Sequence, residues 1–231
     1  MLTEAGRVLA RRASDVLDLV RDAFDEVARA ETTIAIAAFP TAITTMLLPL
    51  LAQLAPSIRL TIVHAESEGA LHALRSRQVD CAITDGHAHE ARPRADDLHR
   101  TLLRAEPIRL VTHSERVDPS LADYANRPWV LGGASSRLGH IARQACQSAG
   151  FVPNVIIETE DHHITLAAIR HLSAASFLPE LALTNLPDDV TVVADLKLSL
   201  ERRIEFVTRH RQGTNSAIAT LAQLLTGGPL L

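Results

Sequence analysis

Apolar side chains recur at alternating spacings of four and three residues over the first thirty residues. No proline interrupts this seam, whose members are Leu9, Ala13, Val16, Val20, Ala23, Val27 and Ala30. The pattern predicts a long helix within residues 1–30, roughly 40 Å in length at about 1.5 Å per residue. Because the globular part follows this helix, we expect the seam to pack against a second copy, giving a homodimer or homotetramer. A helix folded back on its own domain is the alternative.

From residue 32 onward, short strand-like runs alternate with stretches of helical periodicity. Residues 33–37 predict a strand, which an apolar helix through Ala55 follows, and Pro49 marks a restart within that helix. The remaining predicted strands span 59–65, 79–84, 98–105, 108–112, 129–131, 155–158, 190–194 and 203–208, and the remaining helices span 68–76, 138–148, 162–172 and 216–225. Strands that alternate with helices predict an α/β fold with parallel or mixed sheets covered on both faces.

Composition and charge narrow the functional classes. With 231 residues, 47% of them hydrophobic, the chain can bury a substantial core. The formal charge of -4 gives no general attraction to a phosphate backbone, so contact with DNA is expected only through residues outside this chain. Cys81 and Cys146 fit neither a disulfide framework nor a zinc site, which favours a reducing compartment. The charged N-terminus is unlike a secretory signal, and no run approaches the ~20 apolar residues of a membrane span, so we expect a cytoplasmic protein without membrane contact.

Several short motifs follow one another in an informative order. They are Thr3-Glu4-Ala5-Gly6 before the long helix, Leu48-Pro49 in the next helix, Asp80 and Ala82 in a strand, Glu106-Pro107, and Pro128-Trp129-Val130. This order resembles that of LysR-type transcriptional regulators, from the linker helix that follows their winged helix-turn-helix to the end of their effector-binding domain. The resemblance covers nearly the whole chain.

The resemblance implies a fold like that of type 2 periplasmic binding proteins, with two Rossmann-like α/β lobes joined by two crossing strands. Residues 1–30 would be the linker and dimerisation helix and residues 31–231 the effector-binding domain, with lobe I at about 31–105 and 206–231 and lobe II at about 106–205. It implies a sensor, not an enzyme, that binds a small-molecule effector between its lobes and controls DNA through a winged helix-turn-helix outside this chain. No cofactor is expected.

The chain departs from the family pattern in two places. It begins where the helix-turn-helix would have ended, so we do not expect it to read DNA by itself. Over residues 169–179, Leu172, Ser173 and Ala174 occupy a stretch in which the family usually has glycines, so this turn and the adjacent cleft wall are expected to differ in shape.

Ligands in such folds collect where strands end and helices begin, because free backbone N–H groups and the helix dipole favour anions there. The first candidate segment is Pro40, Thr41 and Ala42, where the Thr41 hydroxyl and the following amides can hold a carboxylate. Simple helix capping by Thr41 is the alternative. The second segment contains Gly132, Ser135 and Ser136, whose small side chains allow a ligand to approach the backbone.

The third candidate segment contains Glu158, Glu160 and Asp161, between a strand and a helix. These carboxylates would favour an amine or hydroxyl on the ligand if they face the cleft, whereas capping of the helix by Asp161 is the structural alternative. The resemblance to LysR-type regulators adds three more predicted ligand contacts by their place in the family pattern, Thr84, Asp85 and Phe177. Arg109 and Arg203, on the proposed crossing strands, can offer a bidentate contact to a carboxylate, with solvated side chains as the alternative.

Two other functional classes remain open at this point. His87, His89, Glu90 and His99, or Asp161 with its two neighbouring histidines, contain the donor types of a zinc or nickel site. An enzyme on the same scaffold is the second rival, although the sequence contains no nucleophile elbow or HExxH motif. We predict no catalytic residue and no metal ligand.

Overall fold

The computed structural model describes residues 3, 32–87, 98–114, 120–134, 136–194, 196, 200–209 and 216–227. The predicted linker helix lies outside this part of the chain apart from Thr3, and so do Ser135, His89 and Glu90. The heptad seam, and the oligomer inferred from it, therefore stay predictions.

Strands and helices alternate along the described residues, as the hydrophobic pattern predicts. In chain order the elements are β1 (Thr32–Ala38), α1 (Pro40–Ala42), a π-helical turn (Ile43–Leu47), α2 (Leu48–Leu51), β2 (Ile58–His64), α3 (Ser67–Arg75), β3 (Cys81–His87), β4 (Leu98–His113), a 3₁₀ helix (Leu121–Tyr124), β5 (Pro128–Leu131), α4 (Arg137–Ser148), β6 (Asn154–Glu158), α5 (His162–Leu172), β7 (Ser176–Pro179), a second 3₁₀ helix (Glu180–Leu183), β8 (Val190–Val192), β9 (Glu201–Arg209) and α6 (Ser216–Gly227). The two 3₁₀ helices and β7 were not among the elements that periodicity predicted.

The sheet of the first lobe contains β2, β1 and β3 in that order, all parallel, and β9 extends it in the antiparallel direction next to β3. Alternate residues of the central strand β1 face opposite sides of the sheet. Ile36 packs in the cluster that contains residues of α1 and α6, whereas Ala37 packs in the cluster that contains residues of α3. Both faces are therefore covered, and Ile36 and Ala37 are fully buried.

The helical segment after β1 changes its winding because of Pro49. Proline has no backbone N–H, so it cannot continue the regular hydrogen-bond ladder. The amide of Leu48 instead donates to the carbonyl of Ile43, five residues earlier, and the chain forms a π-helical turn before α2 begins. The helix then ends at Leu51 and not at the predicted Ala55.

Two long strands cross from one lobe to the other. β4 pairs with β9 from Leu98 opposite Arg209 to Pro107 opposite Glu201, and its far end then pairs with β7 and β8. The sequence predicted two separate strands here, and the structure corrects this to a single strand of 16 residues. A register shift between Leu102 and Arg104 bends the strand between the lobes.

In the second lobe β5 and β6 pair in parallel beside the sheet of β4, β7 and β8. The amide of Val130 donates to the carbonyl of Ala175 at 3.0 Å, which links these two sheets. Trp129 is fully buried, its Nε1 donates to the carbonyl of Tyr124 at 3.1 Å, and its ring centroid lies 5.7 Å from that of Phe177. The core of this lobe therefore forms around one aromatic cluster.

The turn between α5 and β7 is the stretch in which the family pattern has glycines. Ser173 ends α5 with a φ of 50° and a ψ of 35°, the left-handed conformation that glycine adopts without strain. A non-glycine residue adopts it at a cost of about 1 kcal/mol. The next two residues, Ala174 and Ala175, are fully buried.

The loop after β5 passes so close to the first turn of α4 that position 139 requires a glycine. A Cβ at Gly139 would lie less than 3.0 Å from the carbonyl oxygens of Gly132 and Gly133, whereas a Cβ at Gly133 would meet nothing within 4 Å. We expect Gly139→Ala to lower the free energy of unfolding by about 1–3 kcal/mol, because this overlap outweighs the ~1 kcal/mol that alanine gains over glycine in a helix.

Gly133→Ala is the matched control in the same loop, and its free energy of unfolding should stay within about 0.5 kcal/mol of the parent value. Urea unfolding followed by the fluorescence of Trp129, the one tryptophan of the sequence, compares the variants. Equal unfolding midpoints for the two variants would contradict this account of the loop.

Candidate ligand-binding cleft

A cavity of about 340 Å³ lies between the two lobes. Residues of both lobes and of the crossing strand β9 form its wall. They are Phe39, Pro40, Thr41, Glu66, Ser67, Glu68, Asp85, Gly132, Gly133, Ser136, Arg137, Leu138, Thr159, Glu160, His162, Thr165, Ser176, Phe177, Leu178 and Arg202.

Four helices begin at this cavity, each after a strand that ends there. They are α1 after β1, α3 after β2, α4 after β5 and α5 after β6. Side chains cap two of these helices: the Ser136 hydroxyl accepts from the Gly139 amide, and Asp161 accepts from the amides of His163 and Ile164. The other two helices, α1 and α3, have no side-chain cap, so no side chain occupies the N–H groups of their first turns. Pro40, the first residue of α1, has no N–H to offer.

Arg202 organises the wall between β9 and the first lobe. Its guanidinium donates through Nη1 to Oδ2 of Asp85 at 3.3 Å, through Nη2 to Oγ1 of Thr41 at 3.0 Å, and through Nε to Oε1 of Glu106. The same group lies 4.8 Å from the ring centroid of Phe39. Because Arg202 is buried and every nitrogen of its guanidinium has an acceptor, its position is set from several sides.

The acceptors around Arg202 are themselves held in place. The side chain of Glu106 is fully buried, and its Oε2 accepts from the Leu181 amide at 2.8 Å. The Ser67 hydroxyl donates to Oδ1 of Asp85 at 2.6 Å and accepts from the Asp85 amide at 2.8 Å. From the second lobe, Nη1 of Arg137 donates to the Asp85 carbonyl at 3.2 Å. The Asp85 backbone is therefore a direct contact between the lobes.

Two titratable groups on the wall respond to this environment. Burial raises the pKa of the Glu66 carboxyl, and the nearby carboxylates of Glu160 and Asp85 raise it further. Burial lowers the pKa of His162 from 6.5 to about 4, with a smaller contribution from the positive charge of Arg202. The imidazole of His162 is therefore neutral at neutral pH.

The structure brings most of the sequence-predicted contacts to one place. Seven of them line the cavity: Pro40, Thr41, Asp85, Gly132, Ser136, Glu160 and Phe177. Ala42 and Thr84 do not, since both are buried within the first lobe. Ser135 lies outside the described residues.

The remaining two predicted carboxylates have structural partners instead. Glu158 lies off the cavity wall and accepts from Nη2 of Arg143 at 2.5 Å, and Asp161 caps α5 as its alternative reading proposed. Successive residues of a strand or an extended segment point in opposite directions, so Glu158 and its neighbours do not all face the cleft.

Sequence reasoning missed Arg202 and the start of α3. Arg203 and Arg109 were the candidates on the crossing strands, but Arg203 does not line the cavity and Arg109 is exposed. The period of two along a strand makes Arg202 and Arg203 alternatives, and only the pairing of β9 decides between them. Glu66, Ser67 and Glu68 follow the second strand of the lobe, so the strand-end argument used for Thr41 would have found them.

Within the described ranges, no three histidine, cysteine, aspartate or glutamate side chains are grouped so that they could hold a metal ion. No helix in this part of the chain has the length and apolar character needed to cross a membrane.

Comparison with known proteins extends these findings. A family model described as the LysR substrate binding domain matches residues 28–228. The structure of CbnR, a LysR family transcriptional regulator, is similar with a TM-score of 0.68 and 19% identity, over 97% of this chain and 81% of CbnR. The BenM effector-binding domain with its effector benzoate has a TM-score of 0.69 and 17% identity, over 85% and 91% of the respective chains.

A third similar structure is the reduced regulatory domain of OxyR2 from Vibrio vulnificus, with a TM-score of 0.69 and 16% identity, over 86% of this chain and 96% of that one. No curated protein matches the sequence. These structures confirm the predicted fold of two α/β lobes joined by crossing strands. Because the family model covers most of the 231 residues, the chain belongs to the LysR substrate-binding domain family, the effector-binding part of LysR-type transcriptional regulators.

Proposed function

We propose that this chain is a sensor that binds one small-molecule effector between its lobes and regulates transcription through a winged helix-turn-helix domain outside these residues. The cleft is the observation that carries the proposal. It has the volume of a small organic ligand, it lies where four helices begin, and both lobes contribute polar side chains to its wall. The chain acts as a binding module and not as an enzyme, in the cytoplasm and without membrane contact.

The proposed mechanism uses the crossing strands. Lobe I at about 31–105 and 206–231 and lobe II at about 106–205 would close on the effector, because a ligand that touches both walls binds the closed arrangement better than the open one. Arg137 already contacts the Asp85 carbonyl across the cleft, so small changes in closure alter a hydrogen bond between the lobes. Closure would then rotate the paired linker helices of a homodimer or homotetramer. A ligand with equal affinity for both arrangements would change nothing.

Thr41 is the proposed contact for an acceptor group of the effector, such as a carboxylate. Its hydroxyl oxygen accepts from Arg202, which leaves the hydroxyl hydrogen to donate into the cavity beside the uncapped start of α1. BenM, a structural neighbour, is described with benzoate as its effector. A carboxylate at this position could also accept from the backbone N–H groups that follow Pro40 at the start of α1.

The first test is a thermal-shift screen of the purified chain against small organic acids, amines, amino acids and polyols, with light scattering to measure its oligomeric state. We expect at least one organic compound to raise the unfolding temperature of a dimer or tetramer, since a ligand of the folded state alone stabilises it. A strict monomer that no organic compound stabilises would contradict the proposed function.

Thr41→Val should weaken the binding of any stabilising compound by about tenfold or more, because it removes a hydrogen-bond donor from the wall and keeps the shape of the side chain. Thr44→Val is the matched control, since Thr44 is exposed one turn further along and does not line the cavity. Isothermal titration calorimetry measures both affinities. Equal affinities of the two variants would exclude Thr41 as a contact.

The lowered pKa of His162 predicts how stability depends on pH. Between pH 6.5 and pH 4 the unfolded chain binds a proton at this side chain and the folded chain does not, so the folded state loses stability as the pH falls through this range. We expect His162→Gln to show a smaller loss of unfolding free energy between pH 7.5 and pH 5 than the parent, by at most about 1.4 kcal/mol per pH unit.

His163→Gln is the matched control on the same turn of α5, where the side chain is exposed. It leaves the buried imidazole of His162 in place, so its loss of unfolding free energy between these pH values should lie closer to that of the parent than the loss in His162→Gln. Urea unfolding at each pH measures the effect. A pH dependence that stays the same in His162→Gln would show that His162 is protonated equally in the folded and unfolded states.

A further inference from the structure

Some polar groups on the wall of the cleft form hydrogen bonds within the protein, and others do not. The strongest donors are already in use. Arg202 donates to Glu106, Asp85 and Thr41, and Arg137 donates to the Asp85 carbonyl. These two arginines are the cationic side chains of the described wall. An anionic ligand would therefore have to compete with the carboxylates of Glu106 and Asp85 for Arg202.

The uncommitted side chains of the wall are mostly hydrogen-bond acceptors. The side chains of Glu66, Glu68 and Glu160 make no hydrogen bond within the described residues, and neither does the imidazole of His162. The carboxylate of Glu66 lies 3.9 Å from Nε2 of the exposed His64. Carboxylates accept and do not donate, whereas a neutral imidazole offers one acceptor and one donor. The wall thus offers a ligand three carboxylates and one neutral histidine.

These acceptors come from opposite sides of the cleft. Glu66 and Glu68 flank the first residue of α3 in the first lobe, whereas Glu160 and His162 flank the N-cap of α5 in the second lobe. Glu66 and Glu160 line the same cavity, and after burial the negative charge of Glu160 is the next largest cause of the raised pKa of Glu66. Like charges that face each other across a closing cleft repel, and a positive charge between them removes the repulsion.

A purely structural role explains only part of this set. Glu68 lies in the first turn of α3, where a carboxylate stabilises the positive end of the helix dipole. Glu160 has no comparable role, because Asp161 already caps α5 and no described cation pairs with Glu160. Glu160 is therefore an exposed carboxylate on the cavity wall that is available to a ligand.

We propose that the effector carries a positively charged amino group, which lies between Glu66 and Glu160 and draws the two lobes together. This inference rests on the proposed sensor function and defines its ligand as an ammonium compound. An ammonium group has three donors for the two carboxylates and for the acceptor nitrogen of His162. Any acceptor group on the same molecule can reach Thr41 and the start of α1, so zwitterions belong to the class and purely anionic compounds do not.

The experiment compares compounds of matched skeleton and different charge by thermal shift and calorimetry on the full chain. The probes are benzylamine against benzoate and benzyl alcohol, and 1,5-diaminopentane and 5-aminopentanoate against glutarate and 1,5-pentanediol. We expect the ammonium compounds to raise the unfolding temperature and glutarate, benzoate and the alcohols to leave it unchanged.

Glu160→Gln keeps the shape of the side chain and removes its charge, so we expect it to bind the ammonium probes at least tenfold more weakly. Asp188→Asn, at an exposed carboxylate outside the cavity wall, is the control and should bind them as the parent does. Stabilisation by the acids alone, or equal affinities of Glu160→Gln and the control, would overturn the charge assignment and leave the sensor function intact. No stabilisation by any of these probes would also overturn the charge assignment, whereas the wider screen and the oligomeric state test the sensor function itself.

Discussion

The buried contact between Arg202 and Glu106 is the interaction on which the cleft depends. The two residues are 96 positions apart in sequence and lie opposite each other on the crossing strands β9 and β4. Removing one partner of a buried ion pair costs about 3–5 kcal/mol, so each side chain holds the other in place. From this position Arg202 binds two residues of the first lobe, Asp85 in β3 and Thr41 at the start of α1. This ion pair therefore couples the position of the crossing strands to the position of the cavity wall.

This arrangement also determines the chemistry that remains for a ligand. The guanidinium of Arg202 is paired with the carboxylates of Glu106 and Asp85, whereas Arg137 donates to a neutral carbonyl. Glu160 has no ionic partner among the described residues, and Glu66 has only the exposed imidazole of His64, at 3.9 Å. The charge that the cleft presents to a ligand therefore depends on which polar groups are paired within the fold, and not on the number of charged residues along the chain.

Local sequence signals were sufficient for much of the fold. Hydrophobic alternation located the strands of the first lobe, and the helix over 162–172 has the predicted bounds because Asp161 is a strong N-cap at its start. Errors arose where long-range pairing overrides local signals. Residues 98–105 and 108–112 were predicted as two strands, yet pairing with β9 through Pro107 and with β7 from Ile108 makes them the single strand β4. The sequence analysis also missed β7, which pairs with β4 across a long separation in sequence.

The sequence by itself determined the family and the alternation of strands and helices. Because ligands in α/β folds meet the ends of strands, it also determined where to look for ligand contacts. That rule placed Thr41, Ser136 and Glu160 correctly on the cavity wall, because a strand end followed by a helix start is a local feature. Only the tertiary structure decided that Arg202, and not Arg203, faces the cleft. It also decided that Glu158 pairs with Arg143 and is not free for a ligand. The physical reason is that strand pairing sets which of two successive side chains points inward, while partners distant in sequence decide which charges stay free.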